Sequence, residues 1–432
     1  MPSAIIESLD HEGRGIARCD GKAIFIEGAL PGERVEFSSY RVKPKFEQAT
    51  MLVLHKASAL RVTPKCEFYG TCGGCSMQHL EASAQVAVKQ RVLENAFWHL
   101  GRIRPDLLLP AIQGPAWGYR YRARLSVFKR PSDGRVLVGF HEKKSSFIAD
   151  MHSCEVLPPA LSALLMPLRE LIGALSVADR IPQIEVAVGE EQTVLLLRNL
   201  LPFTAADEAR IVAFGAQHGV AMWQQPGGPD TARPLQAGAQ SWLSYSLPEF
   251  GVSLRFQPND FTQVNVDINR ILMRKAMALL DPQPGERIAD LFCGLGNFSL
   301  PIAARGASVV GVEGSVAMVR RATENAELNG LAERCDFRAA NLFEATPKSI
   351  AALGKLDKLL IDPPREGAIA VCQALGEQAP RRIVYVSCNP ATLARDAALL
   401  VGEKGYRLIS AGVANMFPQT SHVESIALFE RS

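Results

Sequence analysis

The feature that most constrains the fold is a regular alternation of strands and helices between about residue 261 and the end of the chain. A helical segment over residues 264–280 precedes the strand-like run Arg287-Ile-Ala-Asp-Leu-Phe. A glycine turn, a helix and the strand-like run Ser308-Val-Val-Gly-Val follow it. Alternating β and α units build a parallel sheet that is covered by helices on both faces. The sequence therefore predicts an α/β fold with a doubly wound domain over residues 261–432.

The chain before residue 261 shows two other patterns. Residues 1–58 contain short strand-like runs separated by glycine turns roughly every 8–12 residues, which is typical of a small β-barrel. Within them, Tyr40-Arg-Val-Lys-Pro-Lys-Phe46 interleaves aromatic and basic residues, and we expect one strand that faces nucleic acid. Residues 59–260 mix helical and strand-like runs and form a predicted central α+β domain.

Basic residues are concentrated in one part of the chain. The formal net charge of the protein is only +3, but the segment from Lys89 to Lys144 has twelve Lys and Arg residues against four Asp and Glu residues. This local net charge of +8 predicts a surface for a polyanion, unless ion pairs neutralise it. The chain has no secretory signal and no run of about 18 apolar residues, so we expect a cytoplasmic protein that does not enter a membrane.

A glycine turn follows the first strand of the doubly wound domain, in Asp290-Leu-Phe-Cys-Gly-Leu-Gly-Asn-Phe298. Such a turn lets the backbone approach a cofactor. A dinucleotide site would have a third glycine where this chain has Ser299. Asp290 instead offers an acceptor for the cationic amino group of S-adenosylmethionine. Glu313 ends the second strand and is placed for the ribose hydroxyls, and Asn341 follows the third strand and is placed for the adenine edge. The turn therefore favours S-adenosylmethionine.

Two later strands end in residues that carry chemistry. The fourth strand ends at Asp362-Pro-Pro and the fifth at Cys388. Enzymes that methylate exocyclic amines usually have an aromatic residue after such a motif, and Arg365 in that place argues against this reaction. Methylation of C5 of uracil needs a thiolate that adds to C6 and a base that removes the C5 proton. Cys388 provides the thiol, and Glu424, at the start of the last strand, is the best candidate for the base.

Four other cysteines form a spaced group, with three close together in Cys66-x5-Cys72-x2-Cys75 and the fourth at Cys154. Disulfides are rare in the cytosol, so a metal centre is the better interpretation. Zinc and an iron–sulfur cluster both accept four thiolates. Structural zinc more often uses paired C-x-x-C units, and this chain has one such unit, so the spacing is less typical of zinc but leaves both metal centres open.

Five motifs in the last part of the chain resemble the RNA uracil-5 methyltransferase family. They are Phe261-Thr-Gln-Val-Asn265, DLFCGLGNF, LLIDPPREG, VSCNPATLARD and MFPQTSHVES, within about residues 260–432. The resemblance implies that Cys388 is the nucleophile and Glu424 the proton acceptor in a class I methyltransferase domain. By motif position, the residues that would contact S-adenosylmethionine are Gln263, Phe292, Asn297, Glu313, Asn341 and Asp362.

The segments before residue 260 resemble the members of this family that act on ribosomal RNA. The motifs DHEGRGIAR and ALPGERVEF resemble a TRAM domain, an OB-like RNA-binding barrel, and Cys-x5-Cys-Gly-Gly-Cys resembles a 4Fe–4S motif. The implied partner is 23S rRNA, with the target uridine flipped out of its stack, and we expect a monomer. The alternatives are methylation of tRNA, methylation of two rRNA sites, or an RNA-binding assembly factor without catalysis.

Overall fold

The computed structural model describes residues 1–19, 21–236 and 238–431. Its N-terminal sheet has six strands, namely β1 (Ser3–Ile5), β2 (Ser8–Leu9), β3 (Gly15–Cys19), β4 (Lys22–Glu27), β5 (Arg34–Val42) and β6 (Phe46–Lys56). Their order in the sheet is β1-β5-β6-β4-β3-β2. Alternate residues such as Ile24 and Ile26 are buried, as expected for strands with one face in a core.

The basic segment near residue 43 is a hairpin tip and not a single strand. Strand β5 ends at Val42 and β6 begins at Phe46, and the backbone N–H of Lys43 donates to the carbonyl of Phe46 at 2.9 Å. Pro44 has no backbone N–H and fixes φ, so it favours the turn over a continuous strand. The expectation of one strand over Tyr40–Phe46 is therefore wrong.

A second sheet follows helix α1 (Ala82–Ala96), which continues as a short π-helix over Phe97–Gly101. This central sheet has the strand order β13-β12-β11-β10-β8-β9 and packs against three helices. The strands are β8 (Arg122–Lys129), β9 (Val136–Gly139), β10 (Gln183–Val188), β11 (Thr193–Arg198), β12 (Ala221–Gln225) and β13 (Arg233–Pro234), and the helices are α2 (Pro159–Ser162), α3 (Leu165–Gly173) and α4 (Ala205–His218).

The C-terminal region forms an eight-stranded sheet, and a hairpin of β14 (Leu243–Leu247) and β15 (Val252–Phe256) precedes it. The strands of this sheet are β7 (Leu107–Leu108), β16 (Arg287–Leu291), β17 (Ser308–Glu313), β18 (Cys335–Ala339), β19 (Lys358–Ile361), β20 (Arg382–Ser387), β21 (Arg407–Ala414) and β22 (Glu424–Glu430). The helices are α5 (Val266–Leu280), α6 (Ser299–Ala304), α7 (Val316–Leu328), α8 (Pro347–Ala351), α9 (Ile369–Ala374) and α10 (Pro390–Gly402).

The large sheet has the order β18-β17-β16-β19-β20-β22-β21-β7. The first five strands in this order, from β18 through β17, β16 and β19 to β20, are parallel. Strand β22 runs antiparallel to both β20 and β21. Successive residues of each central strand enter different cores, as Leu359 and Leu360 do in β19. Both faces are therefore buried, which confirms the predicted doubly wound α/β sheet.

Two elements from earlier in the chain also belong to this sheet region. Strand β7 extends the sheet beyond β21, where Leu107 pairs with Ser410. Helix α1 packs against α10 and β21, so Leu93 and Ala96 share a core with the large sheet. Among the described residues, no helix is both long enough and apolar enough to cross a membrane.

Candidate active site

A cavity of about 1760 Å³ lies at the carboxyl ends of β16, β17, β19 and β20. Strand β16 has β17 on one side and β19 on the other, so the strand order reverses at β16. Ligands of doubly wound sheets bind in the crevice beside such a reversal. Eight residues predicted to bind the cofactor or to catalyse line this cavity: Gln263, Phe292, Asn297, Glu313, Asn341, Asp362, Cys388 and Glu424.

Phe292 begins the glycine turn in a strained backbone conformation. Its φ is 65°, which bulky residues rarely adopt and which costs about 1–3 kcal/mol. The backbone N–H of Phe292 donates to the carbonyl of Val312 at 2.8 Å, and its ring lies 5.7 Å from the ring of Phe343. Phe343 also lines the cavity and is half-exposed, but no sequence motif marked it. The pair forms an aromatic wall beside the turn.

Glu313 is fixed by two backbone amides. The N–H of Gly294 donates to its Oε2 at 3.1 Å, and the N–H of Ser315 donates to its Oε1 at 3.0 Å. Gly294 itself has φ of 55°, which glycine adopts without strain. The turn and the end of the second parallel strand therefore hold one carboxylate at the cavity wall, which fits an acceptor for a diol.

Asn297 belongs to a polar network that sequence analysis missed. Tyr245 Oη donates to Asn297 Oδ1 at 2.8 Å, and Asn297 Nδ2 donates to Asn269 Oδ1 at 3.1 Å. Tyr245 comes from the β14–β15 hairpin and lines the cavity, although it is remote from Asn297 in sequence. Asn341 also lines the cavity, and its Oδ1 accepts a bond of 3.1 Å from the N–H of Phe343.

Asp290 has a different position from the one expected. Its carboxyl is fully buried in β16, and Ser299 Oγ donates to Oδ2 at 2.5 Å. Burial raises the pKa of Asp290 to about 7. This bond ties the strand to helix α6 below the glycine turn. Asp290 does not line the cavity, but its Oδ1 is buried without a hydrogen-bond partner, so contact with the amino group of a cofactor stays a prediction.

Cys388 follows β20 directly and is half-buried. Asn389 caps helix α10, since its Oδ1 accepts from the N–H of Ala391 at 3.0 Å, and its Nδ2 donates to the carbonyl of Arg365 at 3.0 Å. Burial and the nearby carboxyls of Glu424 and Asp362 raise the pKa of the Cys388 thiol to about 11, against the opposing charge of Arg365. The thiol thus lies on a rigid strand-to-helix junction among titratable groups.

Glu424 is the first residue of β22 and faces the same end of the sheet. In the antiparallel register Ser387 pairs with Ser425, so Cys388 and Glu424 come next on the two strands. Burial, together with the charge of Asp362, raises the pKa of Glu424 well above its ordinary range. Burial also raises the pKa of Asp362 to about 7. One thiol, the buried carboxyl of Glu424 and the half-buried carboxyl of Asp362 thus share the floor of the cavity.

The outer walls come from segments that no motif marked. One face of α1 and its π-helix lines the cavity with Val92, Asn95, Ala96 and Leu100, spaced at three or four residues as on one helical face. The loop between β2 and β3 lines it with Asp10, His11 and Glu12. The cavity therefore extends from the cofactor turn to the N-terminal sheet, which is more room than a small-molecule substrate needs.

The basic segment from Lys89 to Lys144 does not provide eight free charges. Lys143 and Lys144 both pair with Glu27, and Lys89 is buried. Arg120, by contrast, lines the cavity. Much of the predicted positive charge is therefore neutralised by ion pairs or buried. The remaining basic residues are distributed over several positions.

The four cysteines line a second, much smaller cavity of about 20 Å³. The N–H of Gly74 donates to Cys72 Sγ at 3.4 Å, and burial raises the pKa of Cys75 to about 12. The rest of the lining is mostly apolar or aromatic, as Phe140 and Met151 are, but it also includes Gln78 and Glu155. Within the described ranges, no three His, Cys, Asp or Glu side chains converge as they would around a metal ion.

Comparison with known proteins covers the whole chain. It is 66% identical to a protein of Aromatoleum aromaticum named 23S rRNA (uracil(1939)-C(5))-methyltransferase RlmD, over 100% of both chains. A protein of Azoarcus sp. with the same name is also 66% identical over 100% of both chains. The chain belongs to the RlmD family of RNA uracil-C5 methyltransferases.

Profiles and a solved structure agree with this family. The profile described as tRNA (Uracil-5-)-methyltransferase matches residues 246–432, and that of the TRAM domain matches residues 3–49, which confirms the predicted N-terminal domain type. The crystal structure of Pyrococcus abyssi tRNA (uracil-54, C5)-methyltransferase in complex with S-adenosyl-L-homocysteine has a TM-score of 0.76. It is 23% identical, and the match covers 99% of this chain and 100% of that one. At this identity the likeness concerns the fold.

Proposed function

We propose that this chain methylates C5 of a uridine in 23S rRNA, at the position that its relatives' name numbers 1939. The observation that carries the proposal is the convergence of Cys388, Glu424 and the glycine turn on one cavity that reaches the TRAM domain. Full-length identity of 66% to proteins named for this reaction supports the choice of RNA.

S-adenosylmethionine would supply an electrophilic methyl group. Glu313 would accept hydrogen bonds from its ribose, Phe292 and Phe343 would pack against its adenine, and Gln263, Asn297, Asn341 and Asp362 would complete the contacts. The strained Phe292 and the carboxylate fixed on Gly294 and Ser315 fit such a ligand, because they are polar and aromatic groups held in place before it binds.

In the reaction, the Cys388 thiolate would add to C6 of the uracil, and the enolate-like C5 would take the methyl group from the sulfonium, which would leave as S-adenosylhomocysteine. Glu424 then removes the proton from C5, the C6–S bond breaks, and the thiolate leaves. A carboxylate with a raised pKa holds that proton more firmly than an ordinary one, so the burial of Glu424 suits this role. The base must leave its stack to reach Cys388 on the cavity floor.

We infer that Cys66, Cys72, Cys75 and Cys154 hold a 4Fe–4S cluster with a structural role. The support is that four thiols line one cavity, and that each cysteine of such a cluster binds its own iron, so the sulfurs need not converge on one ion. Anaerobically purified protein is expected to contain iron and sulfide and to absorb in the visible range. Zinc in their place would overturn the assignment.

We propose that the three segments predicted from the sequence have separate roles. Residues 1–58 would bind RNA, residues 59–260 would carry the cluster, and residues 261–432 would hold the cofactor and catalyse. Helix α1 and strand β7 are then the contributions of the central segment to the catalytic sheet. A single chain supplies all the groups named for the reaction, so the proposed active form is a monomer.

The test is to map 5-methyluridine in 23S rRNA from cells with and without this protein, and to assay the purified protein on 23S rRNA fragments and on tRNA. The proposal expects the modification to disappear at one 23S position and methyl transfer to the rRNA fragment. Activity on tRNA alone would replace the substrate, and binding without methyl transfer would indicate an assembly factor.

A further inference from the structure

The loop over residues 415–423 connects β21 to β22 and leads directly into Glu424, the first residue of β22. Its central residue, Gln419, has φ of 67° although it is not glycine, and it is buried. Such a conformation persists only where the surroundings impose it. His422 in the same loop lines the cavity, with its ring 4.4 Å from that of Phe417.

Gln85 of helix α1 holds the middle of this loop. Its Nε2 donates to Gln419 Oε1 at 2.9 Å, and its Oε1 accepts from the backbone N–H of Gln419 at 2.9 Å. The same NH2 group also contacts the carbonyl oxygens of Met77 and Leu80. The two residues are separated by 334 positions and form a reciprocal pair in a dry environment, where each bond is worth more than at the surface.

Lys89, one turn further along α1, holds the start of the loop. Its Nζ donates to Asn415 Oδ1 at 2.7 Å and to the carbonyl of Phe417 at 2.8 Å, and the side chain is only 1% exposed. Burial lowers the pKa of Lys89 to about 7, so desolvation disfavours its charge, while the amine donates both bonds in either protonation state. An apolar side chain of similar length could make neither bond.

Segments near the cysteine group also contact this loop. The N–H groups of Ser76 and Met77 both donate to the carbonyl of Gln419 at 3.0 Å, and Tyr119 Oη donates to the carbonyl of Pro418 at 2.8 Å. Hydrogen bonds from several distant segments therefore hold the loop just before the residue proposed as the base. In the described part of the chain, the Glu424 carboxyl has no recorded hydrogen bond, so its direction depends on this backbone.

We propose that Gln85 and Lys89 are positioning residues that hold the loop over residues 415–423 and thereby orient Glu424 for removal of the C5 proton. The inference rests on the proposed function, because it assigns the two residues to one step of that reaction. It predicts a selective defect. Addition of Cys388 to C6 and methyl transfer continue, whereas release of the methylated RNA slows.

The test compares Lys89→Met with Lys358→Met. Lys358 is also a buried lysine that contacts a backbone carbonyl, at Asp281, but it lies at the start of β19, away from the cavity. We expect Lys89→Met to lower kcat about 10- to 100-fold, the range for a misplaced catalytic group, with KM for RNA little changed. A methylated RNA–protein adduct should accumulate on denaturing gels. Lys358→Met should lower Tm without trapping an adduct.

Gln85→Met provides a second variant if Lys89→Met does not fold. The inference is overturned if the folded variants turn over normally, lose activity without an adduct, or behave like Lys358→Met. Glu424→Gln, assayed in parallel, distinguishes a failure of the positioning role from a failure of the proposed base. If Glu424→Gln traps an adduct and the α1 variants do not, only the positioning role fails. If Glu424→Gln traps none and turns over normally, the proposed base fails first.

Discussion

Cys388 and the group of Cys66, Cys72, Cys75 and Cys154 place the same functional group in two opposite settings. Cys388 faces a wide cavity with two carboxyls and an arginine nearby, whereas the four thiols line a small cavity together with apolar and aromatic side chains, Gln78 and Glu155. Burial raises thiol pKa values in both. The two settings therefore differ in access and in the presence of groups that can exchange protons. Cys388 has both, which suits a nucleophile, whereas the setting of the four thiols suits ligands.

Replacement of the nucleophile should have the largest effect on activity. Cys388→Ala is expected to lower turnover by more than about 10,000-fold, because the covalent route is lost, while RNA binding persists. Methyl-transfer and filter-binding assays measure both. Cys335→Ala, another partly exposed cysteine of the same sheet, is the control and should remain active. Residual turnover of Cys388→Ala near the normal rate would refute covalent catalysis.

The proton acceptor should show a different defect. Glu424→Gln keeps the size of the side chain but cannot take the C5 proton, so turnover should fall about 100- to 10,000-fold, the usual range for a lost general base. A methylated adduct should persist on denaturing gels. Glu430→Gln, at the far end of the same strand and paired with Arg382, should trap none. An adduct level equal to that of the native protein would exclude Glu424 as the base.

Substitution of a cysteine in the small cavity should lower the stability of the protein. Cys75→Ser is expected to reduce iron and sulfide content and to lower Tm by about 5–10 °C, because a bound group contributes to folding. Metal analysis and calorimetry check this, with Cys335→Ser as the matched substitution. An unchanged Tm together with an unchanged iron content would show that Cys75 is not a ligand.

The charge beside Cys388 should shift a pH profile. The thiol pKa of about 11 means that the thiolate fraction, and with it the single-turnover rate of adduct formation, rises from about pH 7 to pH 10. Arg365→Met removes a cation that lowers this pKa, so the profile should move to higher pH by about one unit. A profile that falls with pH, or that moves to lower pH, would contradict the arrangement.

The smallest expected effect is at the aromatic wall. Phe343→Ala removes one ring of the Phe292–Phe343 pair, which should raise KM for S-adenosylmethionine about 3- to 10-fold, the value of such a pair, with kcat unchanged. Phe128, exposed on the central sheet, offers the control Phe128→Ala. A changed kcat with unchanged KM would remove the wall from the cofactor site.

Much of the site could be predicted because parallel strands bring their carboxyl ends together. Cys388, Asp362 and Glu313 each follow or end a strand, and the sequence marks those ends. Asp290 shows the limit of that rule, since strand alternation turns its side chain into the core, where it meets Ser299. In the sequence, the only local indication of this contact is Ser299, nine residues after Asp290.

Other parts of the site depend on contacts between distant segments. Tyr245, His11 and the Asn95 face of α1 reach the cavity only after three sheets have packed together. The spacing of residues 92, 95, 96 and 100 predicts a shared helical face but not its partner. The pairing of Gln85 with Gln419 has no local signature, because each residue alone resembles an ordinary polar side chain.

The covalent step can be tested most directly with RNA that carries 5-fluorouridine at the target site. Fluorine replaces the C5 proton that the base would remove, so the adduct should persist after methyl transfer. The protein is incubated with this RNA and S-adenosylmethionine, digested, and analysed by peptide mass spectrometry. The account predicts one methylated nucleotide attached to the peptide at Cys388. An adduct on another cysteine, or methyl transfer with no adduct, would contradict it.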